Sequence, residues 1–242
     1  MRDLNHNARI STATLLALLL GAYLFGTDAS AGEGLRDISK VNGRVEVAPG
    51  SLVADVSTVN GRIAIERGAT AQQVKTVNGG IDIADNSAVE RVNTVNGSIT
   101  VGSDVNIGER VSTVNGRVHV GRNGKVRGPV TSVNGSISLS EGTEVSGETR
   151  ATNGDIRLRS ARVGGDIVTQ NGDISLQDGS HVAGDLIVKK RRSWLNGWFG
   201  SHNKPLIRID SSSSVAGDIH LYRRVDLEIA EGAQVGEIIR HY

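Results

Sequence analysis

The chain has no cysteine among its 242 residues, so neither disulfides nor thiol chemistry can contribute to its stability or activity. Aromatic residues are scarce as well, with two Phe, three Tyr and two Trp. A conventional globular core of this size buries more aromatic area. Glycine, in contrast, occurs 31 times. This composition predicts thin cores of stacked aliphatic residues joined by regular turns.

An excess of one charge is also missing. Lys and Arg number 27 against 26 Asp and Glu. A nucleic-acid-binding domain normally carries a strong positive excess. We therefore predict no nucleic-acid partner.

The first 31 residues have the pattern of a secretory signal peptide. Arg2 and Arg9 flank a polar start, residues 10–26 are nearly all apolar, and Ala29-Ser30-Ala31 matches the small residues of a cleavage site. We predict a leader at 1–31, a mature domain at 32–242, and export to the periplasm or cell surface. An uncleaved membrane anchor is the alternative, although the apolar run is near the short end for a spanning helix.

A short motif recurs along most of the mature chain. Val41-Asn42-Gly43-Arg44-Val45-Glu46-Val47 is its first copy, and its Asn returns every 18 or 19 residues, which is typical of a solenoid. We interpret the Asn residues as a structural corner ladder: each Asn adopts a left-handed conformation, the next Gly avoids a Cβ clash, and the amides hydrogen-bond between coils. The ladder residues are Asn42, Asn60, Asn78, Asn96, Asn115, Asn134, Asn153 and Asn171.

Two apolar residues separated by one polar residue follow each Asn-Gly, as Val45 and Val47 do. This alternation is typical of a strand with one buried face. A hairpin with Asn-Gly as its tight turn would also fit these residues. Further apolar columns persist elsewhere in every repeat, however, which favours one coil per repeat. The predicted fold is all-β: a single-stranded parallel β-helix (β-solenoid) with coils of 18–19 residues.

One insertion interrupts the repeats. Val182 and Val215 occupy the same column but are 33 residues apart, so about 15 residues are added, at 189–204. This segment combines a basic cluster with both Trp residues, a combination that fits contact with a membrane surface, an envelope glycan or a protein partner. The alternative is that its aromatic side chains pack back onto the solenoid. The predicted contact residues are Lys189, Lys190, Arg191, Arg192, Trp194, Leu195, Trp198 and Phe199.

Motifs that carry chemistry are missing from the sequence. There is no His-Glu-x-x-His pair, no Gly-x-Ser-x-Gly elbow and no phosphate-binding loop. We predict no catalytic, cofactor-binding or metal-binding residues, and no enzymatic activity. A polysaccharide-acting β-helix enzyme is the minority alternative, because Asp155, Asp166, Asp173 and Asp185 would lie on neighbouring coils.

Two resemblances accompany this interpretation. The Thr/Ser-Val-Asn-Gly repeats beginning at Thr58, Thr76, Thr94, Thr113 and Ser132 resemble the bacterial adhesin β-solenoid repeat family. The Val-x-Gly-Asp-Ile repeats from Val163 to Ile219 are similar to those of bactofilins, which form polymers and are usually cytoplasmic. The resemblances imply an envelope scaffold or adhesin-like module, with a bactofilin-like polymer as the alternative. No capping helix is visible in the sequence, so end-to-end self-association is also an expectation.

Overall fold

A computed structural model describes residues 35–190 and 204–242. The leader predicted at 1–31 and most of the 189–204 insertion lie outside these residues. The described chain contains 27 β-strands and no helix. The strands are β1 Ile38–Asn42, β2 Val45–Val47, β3 Leu52–Asn60, β4 Ile63–Ile65, β5 Thr70–Asn78, β6 Ile81–Ile83, β7 Ala88–Asn96, β8 Ile99–Val101, β9 Asn106–Asn115, β10 Val118–Val120, β11 Lys125–Val126, β12 Val130–Ser132, β13 Ile137–Leu139, β14 Glu144–Val145, β15 Thr149–Ala151, β16 Ile156–Arg159, β17 Arg162–Val163, β18 Ile167–Thr169, β19 Ile174–Gln177, β20 His181–Val182, β21 Leu186–Val188, β22 Leu206–Ile209, β23 Ser214–Val215, β24 Ile219–Leu221, β25 Asp226–Ile229, β26 Gln234–Val235 and β27 Ile238–Arg240.

The strands form two parallel sheets. One sheet has ten strands, β2, β4, β6, β8, β10, β13, β16, β19, β22 and β25, and therefore one from each of ten coils; the other 17 strands form the second sheet. Every pairing between described strands is parallel. Hairpins require antiparallel neighbours. The predicted β-solenoid is thus confirmed and the hairpin alternative is wrong.

The core consists of stacked columns of like residues. Val45 pairs with Ile63 and Val47 with Ile65, and the same register continues through the ten-stranded sheet to Ile207 and Ile209. Side chains of these columns are almost fully buried. One sequence-based assignment is wrong at the last coil, because Ile219 pairs with Ile238 rather than with Ile239. Register in a strand has period two, so a shift of one residue exchanges the inward and outward faces.

The Asn column forms a continuous chain of amide hydrogen bonds on the surface. Each Asn donates through Nδ2 to Oδ1 of the Asn one coil earlier, over 2.7 to 3.0 Å, from Asn60 to Asn171. These Asn residues do not have the left-handed backbone that we expected. They end strands or lie beside them, and the left-handed residues belong to the opposite turn, at Gly50, Gly68, Asn86, Asp104, Asn123 and Gly142.

The residue two positions before each Asn explains the Thr or Ser of the motif. Thr76, Thr94, Thr113 and Ser132 are buried. Each hydroxyl donates to the carbonyl of the motif Gly in the preceding coil, over 2.9 to 3.1 Å. A buried hydroxyl without a partner is costly, so this bond makes a small polar residue acceptable in the core.

Glycine follows the Asn because successive coils approach closely there. A Cβ added to Gly79 would collide with the backbone carbonyl of Gly61, and the same relation repeats at Gly97, Gly116 and Gly135. Most of these glycines have an ordinary φ; only Gly43 has a positive one, +98°. The requirement is therefore for space between coils rather than for a special backbone conformation.

The change from 18 to 19 residues per coil begins inside a strand. Strand β9 has ten residues where β7 has nine, and the register shifts between Val89 and Arg91. The extra residue forms a β-bulge beside Gly108, where the Glu90 side chain fills the space that a Cβ would take. In later coils the long strand is divided in two at this position, as in β11 and β12. We had expected the added residue in a turn.

We predict that Asn96→Ala lowers the free energy of unfolding by about 1–2 kcal/mol, because Asn96 donates one amide bond and accepts another. Asn106→Ala is the matched control: Asn106 is also exposed and on a strand, and its side chain makes no hydrogen bond with the described residues. The control should change stability by less than about 0.5 kcal/mol. Urea unfolding of both variants measures the difference, and equal effects would contradict a stabilising ladder.

Gly79→Ala should destabilise the protein by about 3 kcal/mol or more, because the added Cβ cannot avoid the Gly61 carbonyl without separating two coils. Its neighbour provides the control. A Cβ at Gly80 would lie 3.2 Å from the Ser98 carbonyl oxygen, so Gly80→Ala should cost less than about 1.5 kcal/mol. Thermal unfolding of the pair tests this, and a Gly79→Ala variant as stable as Gly80→Ala would show that the coils can separate at little cost.

Candidate interaction surface at the root of the insertion

The insertion leaves the solenoid at the corner that carries the Asn ladder. Strand β21 ends at Val188, which pairs with Thr169, and β22 resumes at Leu206. Lys189 and Lys190 therefore follow Val188 as Gln170 and Asn171 follow Thr169. Lys190 stands where the next ladder Asn would be, so the ladder ends at Asn171.

An arginine from the following coil closes the end of the ladder. Arg223 lies two positions after the end of β24, as Asn153 does after β15. Its Nη1 donates to the Asn171 Oδ1, at 2.9 Å, and to the Gln170 backbone carbonyl, at 3.1 Å. The long side chain thus spans the coil that lacks an Asn.

The two strands that leave and rejoin the solenoid are fixed by further bonds. The Lys189 amide donates to the Thr169 carbonyl at 2.8 Å, and Gln170 Nε2 donates to the Lys190 carbonyl at 3.0 Å. On the returning side, the Leu206 amide donates to Asp173 Oδ1 at 2.8 Å. The root of the insertion is therefore positioned by the regular solenoid.

The described root carries a group of cations. Lys189, Lys190, Lys204 and Arg224 are all exposed. Lys204 Nζ lies 3.4 Å from Asp226 Oδ1, whereas Lys189, Lys190 and Arg224 have no ion-pair partner among the described residues. Exposed cations that are not neutralised locally attract anionic surfaces. We call these four residues the basic root.

Two of the eight predicted contact residues, Lys189 and Lys190, belong to the basic root. Arg191, Arg192, Trp194, Leu195, Trp198 and Phe199 lie outside the described residues. Sequence reasoning missed Lys204, Arg223 and Arg224 as neighbours of this surface. Arg223 and Arg224 lie a coil further on, and only the solenoid period, counted through the insertion, would have brought them to it.

The carboxylates considered for catalysis have a structural role. Asp166 Oδ1 accepts the Asp185 amide at 3.0 Å, and Asp155 Oδ1 accepts the Asp173 amide at 3.1 Å. Asp173 and Asp185 do the same for the next coil. In the Gly-Asp repeats, the Gly leaves room for the carboxylate of the preceding coil; a Cβ at Gly217 would collide with Asp185 Oδ1. These side chains replace backbone acceptors where the strand bends.

Asp210 shows the same use of a carboxylate at a turn. Desolvation raises the pKa of Asp210, but hydrogen bonds from Ser213, from the Asp178 amide and from Ser212 lower it more, so that the pKa lies below its ordinary value. A group so stabilised in its ionised form is a weak proton acceptor. Asp210 therefore stabilises the turn after β22 and is poorly suited to general base catalysis.

A shallow groove of about 780 Å³ crosses the outer face near the bulge at Gly108. Charges of both signs line it, at Glu90, Arg91, Lys125, Arg127 and Glu144. Arg91 Nε lies 3.5 Å from Glu109. In residues 35–190 and 204–242, no three His, Asp or Glu side chains are grouped so as to hold a metal ion, and no helix has the length and apolarity needed to cross a membrane.

We predict that Arg223→Met loosens the corner beside the insertion. The variant loses two charge-assisted hydrogen bonds, so backbone amides in residues 168–190 should exchange with solvent about tenfold faster, which corresponds to about 1.4 kcal/mol. Hydrogen exchange followed by mass spectrometry measures this. Arg224→Met, which removes an exposed cation from the same strand connection, should leave the exchange unchanged; equal effects in both variants would assign the change to charge alone.

Comparisons with known proteins add no relative to this description. No protein-family model, no curated protein and no solved structure matches the chain. The functional argument below is therefore built on the residues of this chain.

Proposed function

We propose that the protein is an exported, non-enzymatic β-solenoid scaffold of the cell envelope, and that the insertion and its basic root attach it to an anionic membrane surface. The observation that carries the proposal is the basic root itself. Lys189, Lys190 and Arg224 are exposed, lack ion-pair partners in the described chain, and stand on a corner held by the regular coils. Export is supported by the leader pattern of residues 1–31.

The insertion sequence supplies the second component of membrane attachment. Arg191 and Arg192 extend the cationic run, and Trp194, Leu195, Trp198 and Phe199 follow directly. Basic residues near an anionic bilayer contribute roughly 1 kcal/mol each, and Trp and Phe prefer the interfacial region. Neither component binds strongly alone, whereas two together give stable attachment. A glycan or protein partner would use the cations without requiring a bilayer.

A non-enzymatic role is supported by the carboxylates that the structure describes. Asp155, Asp166, Asp173 and Asp185 each accept a backbone amide of the next coil. A catalytic acid or base must be available to the substrate in both protonation states. Protonating these side chains would weaken bonds between coils, so they are poor candidates for polysaccharide cleavage.

The charges at the two ends argue against a bactofilin-like polymer built by continuing the coils. The pairing register places Arg240 in the same column as Lys40, and Glu228 in the same column as Glu46. A second copy docked in that register would bring like charges opposite each other in two columns. Such pairs are destabilising, and charged edges protect sheets against addition of further strands.

The test is cosedimentation of the full chain with vesicles. We expect binding to vesicles containing anionic lipid, weak binding to purely zwitterionic vesicles, and a steep decrease with salt. Replacing Lys189, Lys190, Arg191 and Arg192 by Gln should lower the partition coefficient at least tenfold. Replacing both Trp194 and Trp198 by Ala should lower it while leaving the salt dependence intact, because that change removes interfacial burial without removing charge.

A matched control removes the same charge elsewhere. It replaces four exposed cations on the outer coils by Gln, Arg110, Arg117, Lys125 and Arg127, and it should bind vesicles almost as the unmodified chain does. Equal losses in the two quadruple variants would assign binding to net charge and reject the insertion as the contact. Absence of vesicle binding, with capture by an isolated envelope polysaccharide, would replace the lipid surface by a glycan.

A further inference from the structure

Two histidines meet at the last coil, away from the chemistry described so far. His220 lies in β24, and His241 follows directly after β27. The backbone amide of His241 donates to the Leu221 carbonyl at 2.8 Å, which continues the pairing of the two strands beyond Arg240. His220 Nδ1 and His241 Nε2 lie 3.2 Å apart.

That separation has two explanations. In the first, one ring nitrogen donates its proton to the other, as in an ordinary hydrogen bond. In the second, both lone pairs face a shared cation. Metal–nitrogen distances of 2.0–2.1 Å at a tetrahedral angle place two imidazole nitrogens about 3.3 Å apart. The observed spacing therefore suits a divalent metal without movement of the backbone.

The environment of His220 favours the second use. Its Nε2 faces Asp185 Oδ2 at 3.6 Å, and the other oxygen of that carboxylate accepts the Asp218 amide at 2.9 Å. A carboxylate held in this way favours the tautomer of His220 with its proton on Nε2, which leaves the Nδ1 lone pair directed toward His241. Carboxylates behind metal-binding histidines act in the same manner.

The ring of His241 is also oriented by its neighbours. Tyr222 stacks on it with a centroid distance of 4.2 Å and an interplanar angle of 7°. Tyr222 itself is 40% exposed, so the site is open to solvent on that side. Two positioned imidazoles beside an open face leave coordination positions for water or for a further ligand.

We propose that His220 Nδ1 and His241 Nε2 form a binding site for a divalent transition-metal ion that prefers imidazole, such as Zn²⁺, Ni²⁺ or Cu²⁺, with Asp185 as the positioning residue. Metal binding requires the Nε2 lone pair of His241, so the proton of that neutral ring moves to Nδ1 and no net proton is released. With two protein ligands and the remaining positions open, the order of affinity should follow the usual series, with Cu²⁺ tighter than Ni²⁺ or Zn²⁺.

Sequence reasoning gave no sign of this pair. The two histidines are 21 residues apart and fit no metal motif. They meet because the last coil is longer than its neighbours, so that His241 lies opposite Tyr222 and diagonal to His220. The site does not depend on the insertion or on membrane attachment.

The test is isothermal titration of the full chain with Zn²⁺, followed by Cu²⁺ and Ni²⁺. We expect one site that is lost, or weakened at least tenfold, in His220→Gln and in His241→Gln. Asp185→Asn keeps an oxygen for the Asp218 amide but presents an NH₂ donor to His220, which reverses the favoured tautomer. It should weaken Zn²⁺ binding about tenfold while leaving the melting temperature without metal nearly unchanged.

The remaining histidines provide the controls. His119→Gln and His181→Gln remove described imidazoles on other coils, and His6→Gln and His202→Gln remove the two outside the described residues. All four should retain the site. A titration curve that is unchanged in the double variant His220→Gln/His241→Gln would overturn the proposal. Loss of metal binding in Asp185→Asn together with a large fall in its melting temperature would reduce Asp185 to a structural role.

Discussion

Parallel backbone pairing between successive coils is the constraint on which the rest of the structure depends. Once Val45 pairs with Ile63, every residue of a coil lies directly over its counterpart, about 4.8 Å away. A column can then contain only residues that tolerate an identical neighbour above and below. Aliphatic side chains do so by packing, and Asn does so because its amide is both donor and acceptor. Ionised side chains of one sign do so poorly, unless a neighbouring charge compensates.

The corner motif combines three requirements of this stacking. The Gly61 carbonyl accepts the Thr76 hydroxyl at 3.1 Å and also occupies the space beside Gly79. Thr, Asn and Gly in the motif are therefore linked through the same close approach of two coils. Changing one of them affects the contacts of the other two. This explains why a four-residue motif recurs while the outward residues between strands vary widely.

The fold and most core columns were predictable from sequence, because Val and Ile alternate with polar residues at a fixed period and Asn-Gly marks each coil. The left-handed corner was assigned to the wrong side, since Asn-Gly is also a tight-turn signal and nothing local distinguishes a ladder from a turn. The insertion was predictable as an interruption of the period, but Arg223 was not. Its relation to Asn171 depends on a side chain that reaches across a whole coil.

The position of the insertion follows from what each column contributes. Ile174 pairs with Ile207 across the added residues, so the buried columns continue without a gap. The residues are added at the exposed corner, where the loss of one amide bond is partly offset by Arg223. Lengthening a loop by this amount costs little closure entropy, whereas an insertion in β19 or β22 would shift inward residues to the outer face. The corner ladder is thus the place where this solenoid can carry a binding segment while keeping its core intact, and the cations of the basic root belong to that same corner.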